Sequence, residues 1–121
     1  MKIDEADRYF SLYVRTRDNW TCQRCQRIYP EKDPRLQCSH YFGRRMETVR
    51  FDPENCDALC YGCHRYWEKE DREAYRSFKV RQLGQKGYDS LNLRAHLTGK
   101  KDRKMQRIIW KRAYEDLSSS S

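Results

Sequence analysis

Two Cys-x-x-Cys pairs set the first constraint on this chain: Cys22-Gln23-Arg24-Cys25 and Cys60-Tyr61-Gly62-Cys63. Two thiolates three residues apart in a tight turn reach one cation without strain, and two such turns complete a closed tetrahedral set suited to Zn²⁺. A closed set leaves no open coordination position, so the metal expected here is structural. Residues 26 to 59, 34 in all, separate the pairs, too many for a compact zinc ribbon. A sizeable segment is therefore looped out between the turns. Cys38 and Cys56 lie in it. They read as small buried residues, with replacement of a zinc ligand as the alternative.

The composition explains why a staple is needed. Only 37% of the 121 residues are hydrophobic, and the mean hydropathy is -1.19. A single small domain of this kind buries too little surface to be robust alone, so a metal or a partner chain is a natural supplement. No apolar run is long enough to span a membrane, and the N-terminal MKIDEADRYF has no apolar signal segment. The expected location is cytoplasmic. There, six cysteines argue for metal ligation over disulfides.

The formal charge is +8 and the pI about 9.3, which suits a polyanion such as nucleic acid. Most of the excess lies between Arg94 and Arg112, where eight Lys or Arg face one acid, Asp102. A solvated helix face has the same composition, so this stripe has two readings.

Periodicity predicts a helix over residues 3–17, with Ile3, Ala6, Phe10, Tyr13 and Val14 as its core stripe. Leu36 to His40 reads as a strand, and Thr48 to Phe51 as a candidate second one. A helix is expected from Cys63 to Leu83, marked by Trp67, Ala74 and Phe78 and stopped by Gly84 and Gly87. Tyr88, Leu91 and Leu93 suggest a short further helix. Lys101 to Leu117 should form the last one, with Met105, Ile108, Ile109 and Ala113 as its apolar stripe. The expected class is α+β, one domain over 1–117. Its core spans about 15–83, a basic helical region about 88–117, and a disordered tail 118–121.

The looped-out segment carries chemistry. His40 ends the predicted strand, Asn55 follows fifteen residues later, and His64 stands directly after the second cysteine pair. One histidine alone is more often packing than catalysis. A His-Asn-His order framed by two cysteine pairs is more specific.

On these residues the chain resembles HNH endonucleases (the ββα-metal superfamily) of the four-cysteine zinc type. The preceding RTRDNWTCQRC is similar to that family, and CSHYFGRRMETVRFDPENCDALCYGCH looks closest to phage NinG (Rap) recombination nucleases. The resemblance covers roughly Arg15 to Leu83. It implies a small zinc-stapled ββα-metal core and hydrolysis of DNA phosphodiesters. It also implies roles. His40 would deprotonate water as general base, His64 would ligate a catalytic Mg²⁺ or Mn²⁺, and Asn55 would hold the loop or orient His40. The products would carry 5′-phosphate and 3′-hydroxyl ends. Many members have an acid or histidine just before the general base, as a cation ligand. This chain has Ser39, a weaker ligand for a hard cation, and Asp52, Glu54 or Asp57 could stand in for it.

DNA contacts are expected from Arg44, Arg45 and Arg50 beside the cut. Lys100, Lys101, Arg103, Lys104, Arg107 and Lys111 are expected to supply non-specific affinity. Tyr41, Phe42 and Tyr61 read as packing more than as base-stacking platforms. The expected substrate is double-stranded or branched DNA, such as a recombination intermediate. A resolvase cuts two strands, which predicts a homodimer. A nicking or packaging-associated HNH nuclease is the alternative enzyme. A non-catalytic zinc module binding DNA or protein is the rival class, and Ser39 favours it.

Overall fold

The computed structural model describes residues 2–119. Helix α1 (Glu5–Arg17) begins at a reciprocal cap made by two aspartates. Asp4 Oδ1 accepts from the Asp7 amide and Asp7 Oδ2 from the Asp4 amide, both at 3.0 Å. Ala6, Phe10 and Val14 bury its inner face, as the periodicity predicts. Ile3 does not join them. It precedes the cap and is 53% exposed.

After α1 the chain makes the first cysteine turn. The Cys22 amide donates to Arg27 O and the Tyr29 amide to Trp20 O, while the Gln23 amide donates to Ala58 O at 2.9 Å. That last bond ties the turn to strand β2 (Cys56–Cys60), which pairs antiparallel with β1 (Leu36–His40). The register sets Leu36 opposite Cys60, Cys38 opposite Ala58, and His40 opposite Cys56. Pairing Leu36 with Cys60 brings the second cysteine turn back to the first.

Thr48 to Phe51 is not a strand. Glu47–Val49 forms a 3₁₀ turn, followed by a second one at Pro53–Asn55. The amides of Arg50 and Asp52 donate to Glu47 O and Val49 O, and Thr48 Oγ1 donates to Arg94 O at 2.5 Å. These bonds hold the segment against the third helix and leave no ladder for a strand.

The expected helix from Cys63 to Leu83 is broken. A short α2 (Tyr61–Arg65) runs into a wide π turn (Tyr66–Glu70) and ends at Asp71, whose backbone is non-helical (φ -145°, ψ 68°). Asp71 then caps α3 (Arg72–Ala95) by accepting from the Ala74 amide at 3.0 Å. Gly84, at φ 76° and ψ 162°, kinks α3, a conformation that glycine adopts without a Cβ clash. Gly87, expected as a second stop, lies within the helix that continues to Ala95. In that half Tyr88 and Leu91 are buried, but Leu93 is exposed.

Three apolar clusters hold these elements together. The largest joins the cysteine turns to α2 and α3 through Trp20, Leu36, Leu59, Trp67 and Tyr75, with Trp67 stacked on Tyr75 at 4.7 Å. The second joins α1 to Cys38, Phe51 and Cys56. The third packs Val49 on Leu91 and Ala95. Helix α4 (Arg103–Ser119) lies along α1, with Trp110 at 4.8 Å from Phe10 and 5.1 Å from Tyr13. Trp110 therefore closes this side of the molecule. The expected stripe of Met105, Ile108 and Ile109 instead faces solvent, at 52, 60 and 42% exposure. Ser118 and Ser119 belong to α4 and are not a disordered tail, while Ser120 and Ser121 lie outside the described residues. The architecture is mixed helix and strand, and no described helix is long and apolar enough to cross a membrane.

Candidate metal centres and the histidine cleft

The four paired cysteines converge. One sulfur from each of Cys22, Cys25, Cys60 and Cys63 lies within 4.8 Å of the others, near the roughly 3.8 Å edge of a tetrahedral zinc-thiolate site. The set could hold a structural metal ion such as zinc. Its surroundings are mixed: burial raises the Cys22 thiol and takes Cys63 up to about 12, against hydrogen bonds that favour the thiolates. The backbone amides of Cys25 and Arg24 point at the Cys22 sulfur, and Arg24 Nη1 donates to Cys63 Sγ at 3.3 Å. Burial opposes ionisation of Cys60, but the Cys63 amide and the neighbouring sulfurs outweigh it and bring the thiol down to about 7. Cys38 and Cys56 are not part of this set. With His40 they form a separate buried cluster.

His40, at the end of β1, and His64, in α2, line one open cleft of about 450 Å³ with Cys38, Arg44, Arg45 and Glu68. The His40 ring is fixed from one side. Its Nε2 is 2.9 Å from the carbonyl oxygen of Arg50, which can only accept, so the proton sits on Nε2. Nδ1 keeps its lone pair and is buried without a hydrogen-bond partner among the described residues. Burial, then the charge of Arg44, hold this histidine down to about 4, so the ring is neutral at neutral pH.

His64 has an acceptor on each side. Nδ1 is 2.8 Å from Gln37 Oε1 and Nε2 is 3.0 Å from Glu68 Oε1. With the proton on Nε2 the ring donates to Glu68; with the proton on Nδ1 it donates to Gln37 and turns the Nε2 lone pair toward the carboxylate. A separation of 3.0 Å also matches two adjacent ligands of an octahedral ion with bonds of about 2.1 Å. In the second tautomer the ring nitrogen and carboxylate oxygen could serve as two ligands of a divalent cation; in the first they form a hydrogen bond.

Ser39 cannot join that set. It is fully buried and shares a hydrogen bond with Tyr75 Oη at 2.8 Å. None of the three acids considered as substitutes lines the cleft. Asp52 and Glu54 both bind Arg94, at 3.0 and 2.8 Å. Asp57 is buried between Lys79 Nζ at 3.0 Å and Gln82 Nε2 at 2.7 Å.

Asn55 is a loop clamp. Its Oδ1 accepts from the Phe42 amide at 2.9 Å, and its Nδ2 donates to Phe42 O at 2.8 Å and Val49 O at 3.1 Å. The segment after His40 is thereby closed onto the segment carrying Arg50. Asn55 makes no contact with the His40 ring among these bonds, so it positions the loop and not the imidazole directly.

The basic residues divide. Arg44 and Arg45 line the cleft. Arg50, expected on DNA, is buried against Asp7. Arg103 is likewise turned inward, paired with Asp4 at 3.2 Å and Glu47 at 2.5 Å over the Phe51 ring. Lys100, Lys101, Lys104 and Arg107 are exposed, and Lys111 is half-buried. Tyr41 is packed as expected, its hydroxyl 2.8 Å from that of Tyr88, whereas Tyr61 is exposed.

Sequence reasoning missed Gln37 and Glu68. The signal for Glu68 was its place four residues after His64, on the same helical side. Gln37 carried no signal, because only the strand register aims it at α2. No protein-family model, curated protein or solved structure matches this chain.

Proposed function

We propose that the chain is a metal-dependent DNA endonuclease of the HNH type, with His40 as general base and a zinc-stapled scaffold. One observation carries the reading. The buried, unprotonated and unpartnered Nδ1 of His40 shares a cleft with His64, Glu68 and two arginines. Buried side-chain polar atoms are mostly hydrogen-bonded, so an unpartnered ring nitrogen facing this set of residues calls for a role.

The Arg50 carbonyl fixes the tautomer, so Nδ1 is the atom that takes a proton from water. Arg44 controls access to it. Its contact with Asp7 is a long 3.9 Å, and its Nε has no hydrogen-bond partner among the described residues. It is therefore the arginine that turns to a phosphate, and in turning it opens His40 to water. Arg45 grips the neighbouring phosphate. His64 Nε2 and Glu68 Oε1 would hold a Mg²⁺ or Mn²⁺ ion, which would supply charge neutralisation at the scissile phosphate and leaving oxygen. Glu68, not Ser39, thus supplies the second ligand. Cys22, Cys25, Cys60 and Cys63 hold structural zinc. Exposed Lys100, Lys101, Lys104 and Arg107 add sequence-independent affinity. A second copy paired through Met105, Ile108 and Ile109 would allow cuts in both strands.

The test is cleavage of supercoiled plasmid and of a four-way junction, with Mg²⁺ or Mn²⁺, beside a His40→Ala variant. The parent should cut only with metal and the variant should not. Equal cleavage by both, or none by the parent, overturns the mechanism. Symmetric junction cuts with little plasmid damage favour the branched-DNA substrate.

A further inference from the structure

Among the described residues, Cys38, Cys56 and His40 are the one group of three or more clustered metal-ligand residues outside the four-cysteine set. One nitrogen of His40 and the two sulfurs lie within 4.8 Å of one another, and all three residues are buried, at 6% exposure or less. We propose that Cys38 Sγ, Cys56 Sγ and His40 Nδ1 form a second, thiolate–imidazole site for a soft divalent cation such as Zn²⁺, with its fourth position toward the cleft.

Three features of the structure argue for it. The first is the ring. A ligating histidine donates its other N–H to a carbonyl or carboxylate, which fixes the ligating lone pair. His40 Nε2 does this with Arg50 O at 2.9 Å, and the buried Nδ1 has no other partner among the described residues.

The second is the strand register. Cys38 stands opposite Ala58 and Cys56 opposite His40, so the two cysteines are diagonal neighbours whose thiols lie within hydrogen-bonding reach of each other. That placement suits two sulfurs reaching one ion between them.

The third is charge. Binding releases two thiol protons to solvent. Two thiolates, a neutral imidazole and one Zn²⁺ then sum to zero, which an apolar pocket of Ala6, Phe10 and Phe51 tolerates. Cys38 and His40 both line the cleft, so a cation can enter from that side.

The site stands without the nuclease reading, but its consequence rests on it. Ligation occupies the lone pair assigned to the general base, so zinc held here switches cleavage off.

The experiment is a metal count on the intact, zinc-loaded chain dialysed against Zn²⁺. Wild type should hold two equivalents and Cys38→Ala/Cys56→Ala one. Co²⁺ added to protein already holding one zinc should give thiolate-to-cobalt absorption and tetrahedral visible bands. A single equivalent in wild type, or an unaltered second equivalent in the double variant, overturns the site. If circular dichroism shows the double variant unfolded, Cys38→Ser is used. Its thiolate-to-cobalt absorption per bound ion should fall by half, and an unchanged band overturns the site. Plasmid cleavage by the same wild-type samples should vanish as the second equivalent binds. Cleavage that survives full loading overturns the inhibitory role. Absence of cleavage before loading counts against the nuclease reading, while the metal count still decides the site.

Discussion

Arg50 forks onto Asp7 across 43 residues of sequence, its Nε and Nη2 donating to the two carboxylate oxygens at 2.9 and 2.5 Å. The pair is buried, and the same Arg50 offers its carbonyl to His40. One residue thus ties α1 to the loop and orients the candidate base. Asp7→Asn removes the nearer carboxylate from a buried guanidinium, leaving Glu47 at 3.7 Å, and should cost about 3 kcal/mol of stability. Burial raises the Asp7 carboxyl, but the hydrogen bonds from Arg50 and the Asp4 amide overcome it and hold the group below its ordinary 3.8. The unfolded chain then binds the proton more readily. The contribution is complete above the ordinary value and lost as the pH falls through the lower folded one. Urea unfolding at a series of acidic pH values should show wild type and Asp7→Asn converging below pH 4, with their largest difference above it.

Asn55→Asp tests the loop clamp. A carboxylate keeps the acceptor for the Phe42 amide but sets negative charge against the carbonyls of Phe42 and Val49. The expected loss is about 3 kcal/mol. Cleavage should fall further than the folded fraction alone explains, because the loop that presents Arg44 and Arg50 is no longer closed. Activity per folded molecule, normalised by circular dichroism, checks this.

Much of this arrangement was legible before any coordinates. The cysteine spacing announced the four-thiol cluster, because Cys-x-x-Cys is a local device whose geometry its own turn supplies. The apolar period of α1 and the Leu36–His40 strand were likewise local. What failed depended on distant partners. Arg50 and Arg103 read as free cations, since nothing near them in sequence reveals Asp7, Asp4 or Glu47 as their counter-charges. The stripe of Met105, Ile108 and Ile109 suits either a second copy or the monomer core, because helical period marks an apolar face without saying what covers it, and the exposure of all three removes the second reading. Asp71 breaks the helix after His64 through a single non-helical residue, which periodicity cannot register.

Ser39 and Glu68 should respond oppositely. Ser39→Ala removes a buried hydrogen bond to Tyr75 and should cost about 1 kcal/mol while leaving the Mg²⁺ concentration needed for half-maximal cleavage unchanged. Glu68→Ala touches a half-exposed side chain, so stability should barely move. Its metal requirement should rise about 10- to 100-fold, at least the effect of losing an outer ligand contact. A metal titration of cleavage for both variants decides which one is the ligand.

Chelation should unfold the protein. The four thiols join two turns that the thin apolar clusters alone hold weakly, and a structural zinc contributes on the order of 10 kcal/mol to such folds. A strong chelator at neutral pH should abolish the helical circular dichroism signal, and Zn²⁺ should restore it. A chelated protein that stays folded would remove the structural role from these cysteines.

The basic C-terminal region should separate into anchors and phosphate contacts. Lys100, Lys101, Lys104 and Arg107 are exposed, so each can release a condensed counterion on meeting DNA. Replacing all four with alanine should reduce the slope of log affinity against log salt by about 3 to 4, with little change in unfolding midpoint. Arg103 is held by Asp4, Glu47 and the Phe51 ring. Arg103→Ala should therefore lower stability and leave the salt slope nearly unaltered. Binding measured at several salt concentrations, beside thermal unfolding, reads both effects. A slope change from Arg103→Ala as large as from an exposed lysine would mean that its ion pairs open on DNA.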